Sequence, residues 1–416
     1  MKIQENVCNK NSTISAISSL SMNLYIIPAW YPQDENDITA CFFREQAHAL
    51  AERGHDVTVI HITPVSFTRA FRQPWRMSRE WQDGKVRTIF HEAVIPIPAK
   101  LGRVQDRYIS HIFTKIIRQQ IQDDIKHGLQ RPDVIHAHVS HSCAYYCLDA
   151  AQALKIPLVV TEHYSGLLLG TASAADYERV RQTILKSDAF IFVGSNFQRT
   201  ICAKLGIDKK TYVIPNMIDT SLFDSTVVAP KQRDGAFTFL TACRLDANKS
   251  VDLVIKAFHE AFPRDANVKL EIAGDGVARP ALEALVRDLN EQGRVHFIGA
   301  YSRTELPTIF SQADAFVLTS RIETFGIVYI EALMCGLPCI GTAGQGAEDI
   351  IDDSNGIKVE YGDEQALVNA MSLMASHPEK YNKATFRDNC IKSFSSKTIT
   401  SDLGSLYRAI SFVGGG

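Results

Sequence analysis

The chain has 416 residues, 45% of them hydrophobic and 22% charged, with a formal net charge of −2. That is room for two domains with separate cores, and no global field that would favour nucleic acid. No apolar run is long enough to span a bilayer, and the nine cysteines are scattered without a second metal-ligand pair, so they read as buried reduced thiols and no metal site is expected.

Residues 1–21 are rich in Ser and Asn and lack the apolar core of a secretion signal. They read as an extension, with Met22 as an alternative start. A strand over residues 23–27 ends at Pro28. A loop follows, then a helix over 42–53 with Phe43, Ala47 and Leu50 on one face, then Gly54 and a strand over 56–60. Strand, helix, strand is a parallel crossover. Ligands of such sheets lie beyond the strand C-termini, so residues 28–42 are placed at the mouth of a cleft. From Arg69 to Arg131, thirteen Lys/Arg stand against six Asp/Glu. This stretch is a solvated face or a contact for anionic lipid or an acidic substrate. Inside it, Ile109, Ile112, Phe113, Ile116, Ile117 and Ile121 recur at helical spacing over 107–125. Core packing is the first reading of that stripe, membrane contact the alternative.

Regular alternation resumes with a strand over 133–138. His136, His138 and His141 lie close together, but neighbouring strand positions alternate faces, so no convergence on a metal is expected. A helix over 143–154 leads to a strand over 158–161, and His163 follows just past its end. The strand over 189–193 runs into Ser195, an expected N-cap. A strand over 212–214 leads to Pro215-Asn216-Met217-Ile218-Asp219. Periodicity is lost over 220–235, the expected linker.

The second half opens with a strand over 237–242, then Cys243-Arg244-Leu245-Asp246-Ala247-Asn248-Lys249-Ser250 and a helix over 251–262. Arg244 and Lys249 stand between a strand end and a helix N-terminus, where backbone N–H groups and the helix dipole favour phosphate. A guanidinium fork and a flexible ammonium together suit a pyrophosphate; two solvated loop cations are the alternative. The strand over 268–273 ends in Gly274-Asp275-Gly276, where missing side chains would let a ligand approach the backbone. A strand over 295–298 ends in Gly299-Ala300-Tyr301-Ser302-Arg303. Residues 314–349 then read as strand, polar loop, helix over 325–334, Gly-Leu-Pro break, strand and glycine turn. Glu323 precedes that helix and Glu331 lies within it. Eight helical steps advance about 12 Å, too far for a glycosidase pair, whose carboxyls stand roughly 5–9.5 Å apart. The spacing suits two carboxylates gripping two sugars of one ligand. The plainer alternative makes Glu323 a cap and Glu331 part of a solvated stripe.

Glu323 and Glu331 with seven residues between them, Phe325-Gly326 inside and Glu331-Ala332-Leu333 at the end, resemble the signature of retaining glycosyltransferases of family 4. Pro28-Ala29-Trp30-Tyr31-Pro32, Arg53-Gly54-His55, Pro215-Asn216-Met217-Ile218-Asp219 and the 243–250 loop are similar to further motifs of that family. Met217, Cys243 and Ser250 stand where it commonly has glycine. The resemblance runs from Met22 to about residue 390. It implies an α/β chain of two Rossmann-like domains facing across a cleft, the GT-B fold, with a final helix crossing back to the first domain. The domains are expected at 22–222 (acceptor side) and 236–395 (nucleotide-sugar side), joined by a linker over 223–235 and followed by a crossover helix and tail over 396–416.

The resemblance also implies transfer of a sugar from a nucleoside-diphosphate sugar, as substrate, to a glycan or lipid-linked glycan acceptor, with retention; no Asp-x-Asp suggests a metal clamp, so no metal or other cofactor is expected. Glu323, His163, Arg244 and Lys249 are the implied catalytic residues. Arg244, Lys249, Gly274, Tyr301, Glu323, Phe325, Gly326, Ile327 and Glu331 are the implied donor contacts. Glu331 would hold the ribose hydroxyls, Glu323 the donor sugar, and Tyr301 would lie beside the base. A cytoplasmic protein is expected, with peripheral contact to the inner membrane face suggested by the basic stretch. Two other readings stay open: a nucleotide-sugar epimerase on the same fold, and a non-catalytic sugar-nucleotide-binding protein.

Overall fold

The computed structural model describes residues 21–32, 41–66, 68, 76–223, 235–262 and 267–413. The readings of residues 1–20, of most of the linker, and of the cleft loop at 33–40 lie outside these.

Eight strands form the first sheet: β1 (Asn23–Ile27), β2 (Asp56–Ser66), β3 (Arg76–Asp83), β4 (Val86–Ile95), β5 (Val134–His138), β6 (Leu158–Glu162), β7 (Ala189–Phe192) and β8 (Tyr212–Val213). Their order is β3-β4-β2-β1-β5-β6-β7-β8. All pairs are parallel except β3 with β4, which run antiparallel at the edge. The sequence reading found neither of these two strands. β3 carries Arg79, Glu80 and Gln82 toward solvent, the polar dressing of an edge strand, so it lacks a clear apolar alternation.

The second sheet holds β9 (Phe237–Ala242), β10 (Val268–Ala273), β11 (Val295–Gly299), β12 (Ala315–Leu318), β13 (Cys339–Thr342) and β14 (Gly356–Val359). Its order is β11-β10-β9-β12-β13-β14, parallel throughout. The central strands are buried at nearly every position, as parallel sheets covered on both faces must be.

Helices fill both faces. The one at Gly102–Lys126 buries Ile109, Phe113, Ile116, Ile117 and Ile121, so its stripe is core. Part of the basic stretch is engaged within the fold: Arg87 pairs with Glu80 and Asp124, and Arg79 lies over the Trp81 and Phe90 rings. Among the described residues, no helix is long and apolar enough to cross a membrane.

The last helix, Ser396–Val413, places Ile399, Leu403, Leu406 and Tyr407 in the core built on β1, β2 and the Cys41–Glu52 helix. The Tyr407 hydroxyl meets His136 Nδ1 on β5 at 2.7 Å. The end of the chain thus returns to the first sheet, where a buried phenol finds the polar partner it requires.

The two sheets meet through loops that follow their strands. After β7, a Cβ on Gly194 would come within 2.6 Å of the Thr324 carbonyl, in the loop after β12. Ser195 N donates to Asp349 Oδ2 at 2.6 Å, and its hydroxyl donates to the same carboxylate. The Asn196 amide donates to the Gly344 carbonyl. The N-cap of the Ser195–Leu205 helix is Gly194 rather than Ser195. An acid from the other domain serves the helix end that Ser195 was expected to cap itself, where a negative group is favoured. The C-terminal edges of both sheets therefore face each other.

Candidate active site

The second sheet builds the more structured wall. From β9 the chain passes through Cys243 and Arg244 into a short 3-10 turn, Ala247–Lys249, before the helix Val251–Ala261. Asp246 Oδ1 accepts from Asn248 N at 3.0 Å and holds the turn. Asn248 then ties it to the loop after β12. Its amide donates to the Ile322 carbonyl at 2.9 Å, its Oδ1 accepts from Ile322 N at 3.1 Å, and its carbonyl accepts from Arg321 N at 2.8 Å. Ser250 adopts the left-handed conformation, φ 50°, which explains why glycine suits this position.

This stapling brings Lys249 and Glu323 together. Lys249 Nζ donates to Glu323 Oε2 at 2.7 Å, with both side chains largely buried. Burial alone would pull the ammonium's pKa down, but the Glu323 carboxylate outweighs it and holds the value raised. Glu323 is therefore an ion-pair partner; the helix it precedes carries no side-chain cap. That helix is Ile327–Met334, two residues shorter at its start than the sequence suggests. Gly326 stands before it at φ 82°, where a Cβ would strike the Tyr329 ring at 2.6 Å. The N–H groups of a helix's first turn have no intrahelical partner, so those at the start of this helix are able to meet an acceptor from outside it. The Phe325 side chain is core, edge-on to Phe394, leaving only its backbone for a ligand.

Glu331 is 3% exposed, which removes the reading of a solvated stripe. Its Oε1 accepts from Arg303 Nη1 at 3.2 Å. Burial pushes its carboxyl up to about 7, helped by Glu45 and opposed by Arg303. Tyr301 is raised by burial and then by the Glu331 charge, which places the phenol beside that carboxylate.

Cys243 lies among these groups. Burial pushes its thiol up to about 12, and the charges of Lys249, Asp246 and Glu323 all act on it. Arg244, next in the chain, behaves differently. Its side chain is 81% exposed and folded onto Asp246, Nη2 to Oδ2 at 2.8 Å. The structure thus joins Lys249 to Glu323 and leaves the Arg244 guanidinium on the open side of the same turn.

Gly274 and Gly276 have another task than the one expected. A Cβ on Gly274 (φ 129°) would lie 1.8 Å from the Cys243 carbonyl, and one on Gly276 would lie 2.3 Å from that of Leu245. The space they leave is filled by the chain's own 243–245 backbone rather than by room for a ligand.

Across the cleft, His163 follows β6. Its Nε2 meets His138 Nδ1 at 3.1 Å, and the Phe42 and Phe43 rings pack 5.2 and 5.1 Å away. Burial, then the neighbouring His136, pulls its pKa down to about 3, so near neutral pH it offers an uncharged imidazole. The histidine reading needs correction. Residues 136 and 138 are two apart on one strand and share a face; their ring centroids lie 4.3 Å apart, tilted by 34°. Among the described residues they do not belong to any group able to hold a metal.

Sequence reasoning missed Glu162, the wholly buried acid beside His163. One carboxylate oxygen accepts from the His163 and Tyr164 N–H groups, both at 2.8 Å; the other accepts from Ser140. It fixes the loop that carries the imidazole. Glu45, Arg303, Asn248 and Asp349 were also missed, since each acts on a partner far away in sequence.

The sequence profile of the glycosyl transferases group 1 family matches residues 226–387, and that of Glycosyltransferase Family 4 matches residues 42–222. The chain belongs to these glycosyltransferases. The two matches run nearly end to end and take in both walls of the cleft. Among curated relatives of this glycosyltransferase, alpha-monoglucosyldiacylglycerol synthase of Streptococcus pneumoniae is 25% identical over 267 residues, 59% of this chain and 60% of that protein. Glycogen synthase of Mycobacterium tuberculosis is 27% identical over 289 residues, 67% of this chain and 69% of that one. The match thus spans three-fifths to two-thirds of these relatives' lengths. Among solved structures, sucrose-phosphate synthase from Thermosynechococcus elongatus superposes with a TM-score of 0.68 at 19% identity, covering 94% of this chain and all of that one. Anabaena Alr3699/HepE in complex with UDP gives 0.69 at 16%, covering 93% and 100%. These likenesses establish the GT-B fold.

Proposed function

We propose that this protein transfers a sugar, with retention, from a nucleoside-diphosphate sugar to a glycan or lipid-linked glycan acceptor. The observation that carries the reading is the stapled ledge of the second sheet. Asn248 locks two strand-end loops together so that Lys249, Glu323 and the start of the Ile327–Met334 helix share one surface. A diphosphate needs cations, and Lys249 with Arg244 supplies them. A sugar needs carboxylates and N–H groups at fixed spacing, and Glu323 with the backbone of Phe325, Gly326 and Ile327 supplies those. Glu331 takes the ribose hydroxyls, with Tyr301 toward the base. His163, held neutral, offers a hydrogen bond to the transferring sugar from the opposite wall. The chemistry is stabilisation of charge on the departing diphosphate by fixed donors. Closure of the cleft would exclude water from the activated sugar.

The relatives support the substrate class. The matched structures include Anabaena Alr3699/HepE in complex with UDP-glucose, and the streptococcal relative is a glycolipid synthase by name. Because two side-chain cations serve the diphosphate, we take transfer to be independent of a divalent ion. We place the enzyme in the cytoplasm, with peripheral membrane contact if its acceptor is lipid-linked.

A thermal-shift screen of nucleoside diphosphates and their sugars, run in a chelator, tests this reading. A ligand that binds only the folded state at a hundredfold excess over Kd stabilises by about 2.7 kcal/mol. At least one nucleotide should raise the melting temperature with chelator present. No shift with any of them would overturn the donor assignment; a shift seen only with metal restored would overturn metal independence.

A further inference from the structure

An ion triad links the two walls through Glu331, and the reading above gives its other two members, Arg303 and Glu45, no role. Arg303 Nε meets Glu45 Oε1 at 2.9 Å, Nη2 meets Glu45 Oε2 at 3.2 Å, and Nη1 meets Glu331 Oε1 at 3.2 Å. Glu45 lies on the Cys41–Glu52 helix of the first domain, while Arg303 and Glu331 belong to the second. All three side chains are mostly buried, at 20%, 21% and 4% exposure.

Each partner is held from behind. The Arg303 turn is fixed by Glu305, whose Oε2 accepts from Ser302 N at 2.7 Å and from its hydroxyl at 2.6 Å. The helix of Glu45 is pinned next door by Arg44, whose Nε and Nη2 meet the Asp83 carboxylate at 2.6 and 2.7 Å. One guanidinium thus bridges a carboxylate from each domain, by a hydrogen bond and an ion contact to Glu45 and a hydrogen bond to Glu331, so a shift of the first domain is felt at Glu331.

We propose that Arg303 is an interdomain positioning residue: it keeps Glu331 charged as an acceptor for the ribose hydroxyls and, through Glu45, makes nucleotide affinity depend on the first domain. The inference rests on the donor reading above, in which Glu331 holds the ribose. Two carboxylates share one guanidinium here, and a buried charge is tolerated only when paired. The groups facing Glu331 are Arg303, Glu45, the Tyr301 phenol and the Cys335 thiol. Burial first raises both the phenol and the thiol, so both are uncharged near neutral pH. Among the described residues, Arg303 and Glu45 therefore tune the carboxylate, and they do so in opposite directions.

The signs follow. Protonation turns one carboxylate oxygen into a donor and removes the charge that strengthens its bonds to the hydroxyls, so nucleotide affinity falls as pH drops through the Glu331 pKa, near 7. Removing the Arg303 charge raises that pKa, and the loss begins at higher pH. Removing the Glu45 charge lowers it, and affinity survives to lower pH. The nucleotide's own phosphate titration is common to all variants and cancels in the comparison.

The experiment is calorimetric titration with UDP, GDP and ADP over a pH series bracketing neutrality, on the wild type, E331Q, R303Q, R303K and E45Q. With the nucleotide that binds, E331Q should weaken affinity about ten- to a hundredfold at alkaline pH. In R303Q the acid-side midpoint should move up by about one pH unit. R303K, which keeps the charge and loses the fork, should fall between R303Q and wild type. In E45Q, a change in the opposite domain, the midpoint should move down. Midpoints that coincide with wild type in both R303Q and E45Q, while E331Q weakens binding, would overturn the role of Arg303. Failure of all three nucleotides to bind, or an E331Q affinity equal to wild type, would instead overturn the donor reading on which it rests.

Discussion

Arg244→Ala and Lys249→Ala each lower turnover by about a hundredfold or more, the cost expected when one fixed donor to a departing oxyanion is lost. Their effects on stability part company. The Arg244 side chain is 81% exposed and, among the described residues, is held by Asp246 within its own loop, so Arg244→Ala leaves the melting temperature where it was. Lys249 is the partner of a largely buried carboxylate, and Lys249→Ala strands Glu323 without its cation. A charge left unpaired in a site of low solvent access is destabilising, so this variant also melts earlier. Steady-state rates with donor and acceptor, set beside thermal melts of the same preparations, separate the two. Full activity in Arg244→Ala would remove the diphosphate assignment; equal melting of the two variants would mean that the Lys249–Glu323 pair contributes no stability.

Gly274→Ala has the largest effect on folding. The residue sits at φ 129°, which side-chain-bearing residues rarely adopt, and its added Cβ would stand 1.8 Å from the Cys243 carbonyl. That obstacle is backbone, tied in turn by Cys243 N to the Ala273 carbonyl at 3.1 Å and by Leu245 N to the Asp275 carbonyl at 2.9 Å. Neither side can yield without moving the loop that carries Arg244 and Lys249. A loss of about 3 kcal/mol or more is expected, at the upper end of what overpacking causes, together with loss of nucleotide binding. Chemical denaturation with fluorescence detection reads the first and calorimetry the second. Wild-type values for both would mean that the 243–245 loop can retreat at no cost.

These two cases show what the sequence makes legible. Apolar runs and turn residues revealed five of the six strands of the second sheet, because its central strands are buried on both faces; the edge strand β14 was missed, a four-residue strand with Lys358 exposed. Glu331 could be singled out because an acid among Ile330, Ala332, Leu333 and Met334 has to be paired if buried. Arg244 and Lys249 stood out for a similar local reason, cations between a strand and a helix.

What could not be read is contact between distant positions. Arg303 and Glu45 are 258 residues apart, and neither has an unusual neighbourhood in the chain. Gly274 looked like a ligand's entrance because a glycine shows that something comes close, without saying what. The Ser195 N–H finds its acceptor in Asp349, 154 residues away, so a local capping rule chose the wrong group. His136 and His138 required counting strand faces by twos.

A crystal of the protein soaked with the nucleoside diphosphate that binds best tests the account most directly. It should show the diphosphate within hydrogen-bonding distance of Lys249 and Arg244, and the ribose hydroxyls on Glu331, in the cleft between the two sheets. A nucleotide seated elsewhere on the molecule, with the Lys249–Glu323 ledge untouched, would contradict it.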